Sequence, residues 1–212
     1  MVHFIKFLIG SSLCLTVFTA CKEKKPVKKQ EPEKIIYKID TSREKELPAA
    51  SRAPVINIVD TIAAREIVIY VKDSAKTSDR IGIKLEKIYR KTLPEFCKKN
   101  NITITGPRIA WFKSSSAPFY FEAGFPVNKK PAKKSKNIFV REIGGQNVLV
   151  AHFYGPYHLS YEAYVALSEQ LKSLNKKQSA SPYEKYITPP IDSTGKAMDP
   201  YKVLTDIVFP HK

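Results

Sequence analysis

Few side chains in this sequence could do chemistry, and the most promising is a single glutamate in the run Tyr183-Glu-Lys-Tyr-Ile187. Read as a strand, this run alternates. Glu184 and Tyr186 share one face, while Tyr183, Lys185 and Ile187 take the other. On the residues alone, an exposed strand glutamate paired with a lysine is the simpler reading. If Glu184 instead faces a groove, its carboxylate is partly desolvated and its pKa rises. A cation or hydrogen-bond donor entering that groove would then relieve the penalty, and aromatic faces nearby would add cation–π attraction of about 0.5–2 kcal/mol each. Aromatic residues are 11% of the chain and they cluster. Most must pack between sheet and helices, and Trp111, Tyr157 and Tyr186 are the first candidates to line a groove.

The other reactive types offer less. His152 and His158 lie six residues apart with no Cys or carboxylate at ligand spacing, a poor metal site. No Ser/His/Asp arrangement is evident, and Gly144-Gly145 reads as a hairpin turn rather than a phosphate loop. Cys97, next to Phe96 near a helix end, reads as packing. The expectation is therefore no metal, no cofactor and no catalytic residue. Glu184 with a tyrosine could serve as a general acid or base, so a hydrolase stays open as an alternative to a binding module.

The elements that must position these residues occur twice. A first copy runs strand Glu66–Val71, helix from about Ser78 to Lys99, strand Ile102–Phe112 and strand Phe119–Pro126. A second runs strand Asn147–Phe153, helix from about Ser160 to Asn175, strand Ser181–Ile187 and strand Val203–Pro210. Each copy ends with an acid three positions before Phe-Pro: Glu122-Ala-Gly-Phe-Pro126 and Asp206-Ile-Val-Phe-Pro210. Apolar periodicity supports the helices, with Ile81, Leu85, Ile88, Tyr89 and Phe96 on one face of the first, and Tyr164, Leu167, Leu171 and Leu174 on one face of the second. Ser160 is the expected N-cap of the second helix, and Pro94 should kink or split the first. The expected fold class is α+β. Two strand–helix–strand–strand units (about 62–127 and 138–212) form a mostly antiparallel sheet, with two helices on one face and a central cleft.

Four segments on this duplicated scaffold carry a resemblance: Phe121-Glu-Ala-Gly-Phe-Pro-Val127; His152-Phe-Tyr-Gly-Pro-Tyr157 with the Tyr161/Tyr164 helix; Glu184-Lys-Tyr186; and Asp206-Ile-Val-Phe-Pro210. In this order, they resemble the GyrI-like, or AraC-type effector-binding, domains over about residues 60–212. The resemblance implies a small hydrophobic or cationic ligand held between the two halves. It points to Glu184 as the cleft glutamate, with Tyr186 and Tyr157 beside it. Regulatory relatives carry a helix-turn-helix that reads DNA, which this sequence lacks. Some relatives hydrolyse reactive small molecules, which keeps the hydrolase alternative in play. Haem-binding relatives in fold would need an axial ligand, and the histidines after residue 20 are His152, His158 and His211.

The amino-terminal residues imply a location. Met1–Ala20 has a short basic start and an apolar run too short to span about 30 Å of hydrocarbon. It ends in Phe18-Thr-Ala-Cys21, which resembles the lipobox of bacterial lipoproteins, with Phe where Leu is usual. Cys21 is then the acylation site, bearing palmitate-type chains that anchor the protein to a membrane at about 0.8 kcal/mol per buried CH₂. Of the three cysteines, Cys14 leaves with the signal and Cys97 alone remains as a thiol, so no internal disulfide is available. Residues 21–56 read as a flexible tether and 57–212 as one domain. The expected location is the bacterial envelope, anchored and facing the periplasm. Export removes nucleic acid as a routine partner despite a net charge of +16. The charge is dispersed, with ten Lys/Arg against six Asp/Glu in residues 22–54 and five lysines in Asn128–Asn137. Attraction to anionic lipid head groups is the best functional use for it. An envelope interaction protein that neither binds a ligand nor catalyses is the third reading.

Overall fold

The computed structural model describes residues 52–133 and 135–212. The signal segment, Cys21 and nearly all of the tether lie outside the described residues. The chain forms one eight-stranded, wholly antiparallel sheet with helices on one face, the α+β arrangement expected. Its strands are β1 (Val55–Ile62), β2 (Glu66–Ala75), β3 (Arg108–Phe112), β4 (Phe119–Val127), β5 (Phe139–Ile143), β6 (Asn147–Tyr154), β7 (Tyr183–Tyr186) and β8 (Leu204–Pro210). Their order across the sheet is β1-β6-β8-β7-β3-β4-β2-β5. Adding or subtracting four from each strand number turns this order into its own reverse. The sheet thus has a pseudo-twofold axis between β7 and β3, where the two repeats meet.

The periodicity located the helices but not every strand. β1 and β5 are additional to the four elements expected in each unit, and each crosses to the other half: β1 pairs with β6 and β5 with β2. β1 begins two residues inside the segment assigned to the tether. Gly144-Gly145 is not the hairpin turn expected: β5 pairs with β2 and β6 with β1 and β8, so the link between β5 and β6 only passes the chain from one half of the sheet to the other, with φ of +88° and +81° at the two glycines. Gly145 donates its N–H to the carbonyl of Ala63 at 2.7 Å, which ties this link to the one between β1 and β2. Of Ile102–Thr105, Ile104 makes a bridge to Val127, and the full strand starts only at Arg108.

Pro94 acts as expected, in a specific way. The first helix, α1 (Asp79–Lys87), passes through one wide π turn at Ile88–Thr92 into α2 (Leu93–Lys99). Pro94 has no N–H to donate, and the wider turn absorbs the missing bond: Leu93 donates to Ile88, five residues back. The second helix, α3, covers Ser160–Ser173. Leu159, not Ser160, holds its N-cap position, and no side chain caps it there, because a 3-10 turn at Tyr157–Leu159 feeds directly into the helix.

Apolar residues are buried on both faces of the sheet. Leu93 of α2 packs with Ile69, Phe121 and Phe125 of the sheet, and Leu167 of α3 packs with Leu149, Phe153 and Ile207. The helix-free face buries Val68, Ile109, Trp111, Val148, Tyr183 and Val208. Gly124 of β4 sits opposite Tyr70 of β2. A Cβ there would lie 2.4 Å from the Ile69 carbonyl oxygen and 2.9 Å from the Tyr70 Cβ. Backbone cannot yield as a flexible side chain does, so Gly124→Ala should cost about 1–3 kcal/mol, an overpacking penalty. A urea unfolding midpoint unchanged by that substitution would contradict this close approach.

Candidate functional site

Glu184 lies on β7, directly opposite Ala110 on β3, at the pseudo-twofold seam. Ala110 also pairs with Ala123, as Glu184 does with Ile207. The Phe-Pro motifs ending β4 and β8 are 84 residues apart, as are Ala123 and Ile207. Ala110 and Glu184 are therefore equivalent positions in the two repeats. One half puts a methyl group at the seam, and the other fills the space with a carboxylate.

That carboxylate is 1% exposed. One oxygen accepts a hydrogen bond from the Tyr157 hydroxyl at 2.7 Å, and the other accepts one from the Tyr164 hydroxyl at 2.8 Å. Among the described residues no Lys, Arg or His forms an ion pair with it. Burial pushes the Glu184 pKa upward, and the hydroxyls of Tyr157, Tyr164 and Tyr186 pull it back only in part. The same burial, with the Glu184 charge close by, drives the Tyr157, Tyr164 and Tyr186 hydroxyls well above the usual phenol range. They stay protonated and act as donors.

Local sequence accounts for this cluster. Pro156, extended at ψ 129°, turns the chain out of β6 and starts the 3-10 segment, whose first residue is Tyr157. Tyr161 and Tyr164 follow on the first two turns of α3, at the helical spacing that puts side chains on adjoining positions. Tyr186, two residues after Glu184, lies on the same face. Its ring centroid is 6.2 Å from that of Tyr157 and 6.4 Å from that of Tyr89. A cavity of about 290 Å³ opens above the carboxylate, lined by Phe112, Tyr157, Ser160, Tyr161, Tyr164 and Pro182. Its walls are largely aromatic, with one acid at the floor.

Three of the four residues expected at the ligand site, Glu184, Tyr186 and Tyr157, come together here. Trp111 does not. It pairs with Glu122 and stands on the helix-free face, 3% exposed. There it packs against Tyr70 and Tyr183 and lies 4.5 Å beneath the Arg141 guanidinium. Adjacent strand residues point to opposite faces, so of the pair Trp111-Phe112 only Phe112 reaches the cleft. The pairing of Ala110 with Glu184 decides which, and that register is not visible in the local sequence. Tyr164 was expected only as part of the core face of its helix, yet it holds half of the carboxylate. The tyrosine spacing 157, 161, 164 was the available signal.

The histidines are held elsewhere. His152 Nδ1 lies 2.6 Å from Asp206 on the helix-free face, His211 is buried with Nε2 3.0 Å from Asp60, and His158 is exposed on the 3-10 turn. Among the described residues no group of three or more His, Cys, Asp or Glu could hold a metal ion. Cys97 is buried in the core beneath α2, and that burial raises its thiol pKa.

No protein-family model matches the sequence, and comparison with curated proteins finds no match. Solved structures do resemble it. The EcmrR C-terminal domain is 19% identical with a TM-score of 0.60, over 76% of this chain and 99% of that one. EcmrR in its DNA complex gives the same identity and score over 80% of this chain and 60% of the EcmrR chain, so this chain spans less than two thirds of that protein. An uncharacterized conserved protein from Listeria innocua is 9% identical, with a TM-score of 0.50 over 73% of this chain and 92% of that one. These likenesses show the fold, and they are consistent with the GyrI-like domains that the sequence motifs resemble.

The raised Glu184 pKa fixes a sign. A carboxyl that binds its proton more tightly folded than unfolded favours the folded state at low pH, and that stability is lost as pH rises from the unfolded value, about 4.3, to the folded one. Glu184→Gln removes this titration. The stability of the parent relative to Glu184→Gln should therefore fall as pH rises above about 4 and level off once the folded carboxyl ionises. Urea unfolding of both proteins across this range checks it; parallel curves would mean the carboxyl is not perturbed.

Proposed function

We propose that the cleft binds a small hydrophobic cation, and that Glu184 supplies the countercharge. One observation carries this reading: a carboxylate 1% exposed, satisfied by two hydroxyls and paired with no cation among the described residues, at the floor of an aromatic cavity. A positive charge about 4 Å away gains about 4 kcal/mol at an effective dielectric of about 20. A neutral ligand of the same shape gains none of it. The rings of Tyr157, Tyr161, Tyr164 and Phe112 offer apolar contact and faces that attract cations. The cavity volume suits a compact molecule and falls at the low end for ligand sites. The structural likeness to the EcmrR C-terminal domain and the motif resemblance to GyrI-like domains support a ligand-binding role.

Binding is best read by calorimetry with a panel of aromatic quaternary ammonium compounds and neutral isosteres. Cations should bind at least about tenfold more tightly than their isosteres, and Glu184→Gln should remove that preference, a loss of about 1.4 kcal/mol or more. Trp111 lies on the opposite face, so its emission should change little on binding. If Glu184→Gln binds the cations as the parent does, the reading is wrong. Turnover of a bound compound, seen by mass spectrometry and abolished by the same substitution, would instead make the site that of a hydrolase.

The domain, on this reading, works as a lipid-anchored envelope protein. The support is in the sequence: the apolar leader, Phe18-Thr-Ala-Cys21, and the Lys-, Glu- and Pro-rich stretch after it. Cys21→Ser should shift the protein from the membrane to the soluble fraction on cell fractionation. Retention of the variant in the membrane after a salt wash would argue against acylation at Cys21.

A further inference from the structure

A second recess lies far from Glu184 along the sheet, at the β5 edge. It has a volume of about 370 Å³ and is bounded by Phe96 of α2, Pro131, Ile138, Phe139 and Val140, with Lys133 on its rim. Phe139 and Val140 are 38% and 39% exposed, unusual for large apolar groups on an edge strand. The segment before β5 is the lysine-rich loop, and Lys129, Lys130, Lys133 and Lys136 are all exposed. Lys98 and Lys99, exposed at the end of α2, extend the positive rim beside Phe96. Lys72 belongs to the helix-free face, where its Nζ lies 4.9 Å over the Phe139 ring and 4.0 Å from Glu122. Two acids are near in sequence: Glu142, which pairs with Lys130 at 2.5 Å, and Glu95, exposed on α2.

We propose that this apolar recess and its lysine rim form a docking surface for an anionic phospholipid bilayer. The argument is charge complementarity joined to apolar exposure. Lysine stems lie along apolar surface and keep their ammonium groups at the water boundary, and an edge built of Ile138, Val140 and Pro131 among lysines presents both to a head-group layer at once. The lysines are dispersed on a loop and a helix end, an arrangement that answers the density of negative charge rather than the shape of one head group. The surface is separate from the cleft, and on a tethered domain it would set the orientation on the membrane rather than supply the anchor.

Sedimentation with vesicles tests this, using the full chain with Cys21→Ser so that no acyl chain contributes. Vesicles of phosphatidylglycerol and phosphatidylcholine in equal parts should bind it at least about tenfold better than phosphatidylcholine alone, and that preference should collapse as salt rises from about 0.05 M to about 0.5 M. The triple variant Lys129→Gln, Lys133→Gln, Lys136→Gln should lose about tenfold on the anionic vesicles. Val140→Ser, checked for an unchanged melting midpoint, should lose several-fold with the charge intact. Equal binding to both vesicle types, or a triple variant within about twofold of its parent, would overturn the proposal. So would full competition by a dispersed short-chain phosphatidylglycerol, which would show capture of a single lipid instead.

Discussion

Everything at the seam of this fold depends on the burial of one carboxylate without a cation. An isolated ionised carboxylate is among the costliest groups to take out of water, and proteins usually pair it or let it keep its proton. Glu184 has no cation among the described residues; it is given two tyrosine hydroxyls, at 2.7 and 2.8 Å, and a raised pKa. Hydrogen bonds of this kind satisfy the oxygens but do not neutralise the charge. The site therefore holds an unmet electrostatic demand that a ligand can answer. The tyrosines answer part of it from the 3-10 turn and from α3, and so couple the position of those elements to the state of the carboxylate.

The same molecule shows what a compensated acid looks like. Glu122, 8% exposed on the helix-free face, is 2.5 Å from the Arg141 guanidinium, 3.4 Å from Lys113 and 4.0 Å from Lys72. Arg141 in turn lies 3.7 Å from the Tyr70 ring centroid. Asp206, the counterpart of Glu122 in the second repeat, is held by His152, and Glu66 by Lys185 at 2.6 Å. With 36 Lys and Arg in the chain, cations are not scarce. On one face of the sheet the acids are matched one after another. On the other, the acid at the seam has no cation among the described residues, and this contrast is what the proposed binding role rests on.

Much of the fold was legible because it rests on local signals. Apolar spacing in the two helices, β-branched runs in β2 and β6, and the repeated Phe-Pro endings all act within a few residues of themselves. Glu184 with Tyr186 was legible for the same reason, since alternation needs no partner strand. Trp111 was misplaced because its face depends on which β3 residue pairs with Glu184, a contact across 74 residues of sequence. β1 and β5 were obscured because each is stabilised by the opposite repeat, and half-exposed patterns such as Phe139-Val-Arg-Glu-Ile143 carry little periodicity alone. Tyr164 was read as core because one helical face can serve both the core and the cleft at its margin.

Duplication explains the sheet, but the function proposed arises where the duplication fails. A strict repeat would put two alanines or two glutamates at the seam. Two alanines would leave an apolar slot, and two facing carboxylates would repel, so that one would retain a proton. Ala110 opposite Glu184 gives a single charge with room above it. The rest of the chain then limits what can use that charge. At +16, the protein repels cations from afar, but salt at about 0.1 M screens that field within about 10 Å. A hydrophilic cation reaching the cleft would exchange good hydration for aromatic walls and one carboxylate. A cation carrying apolar surface gains from both, and this is the chemistry the proposed function assigns to the cleft.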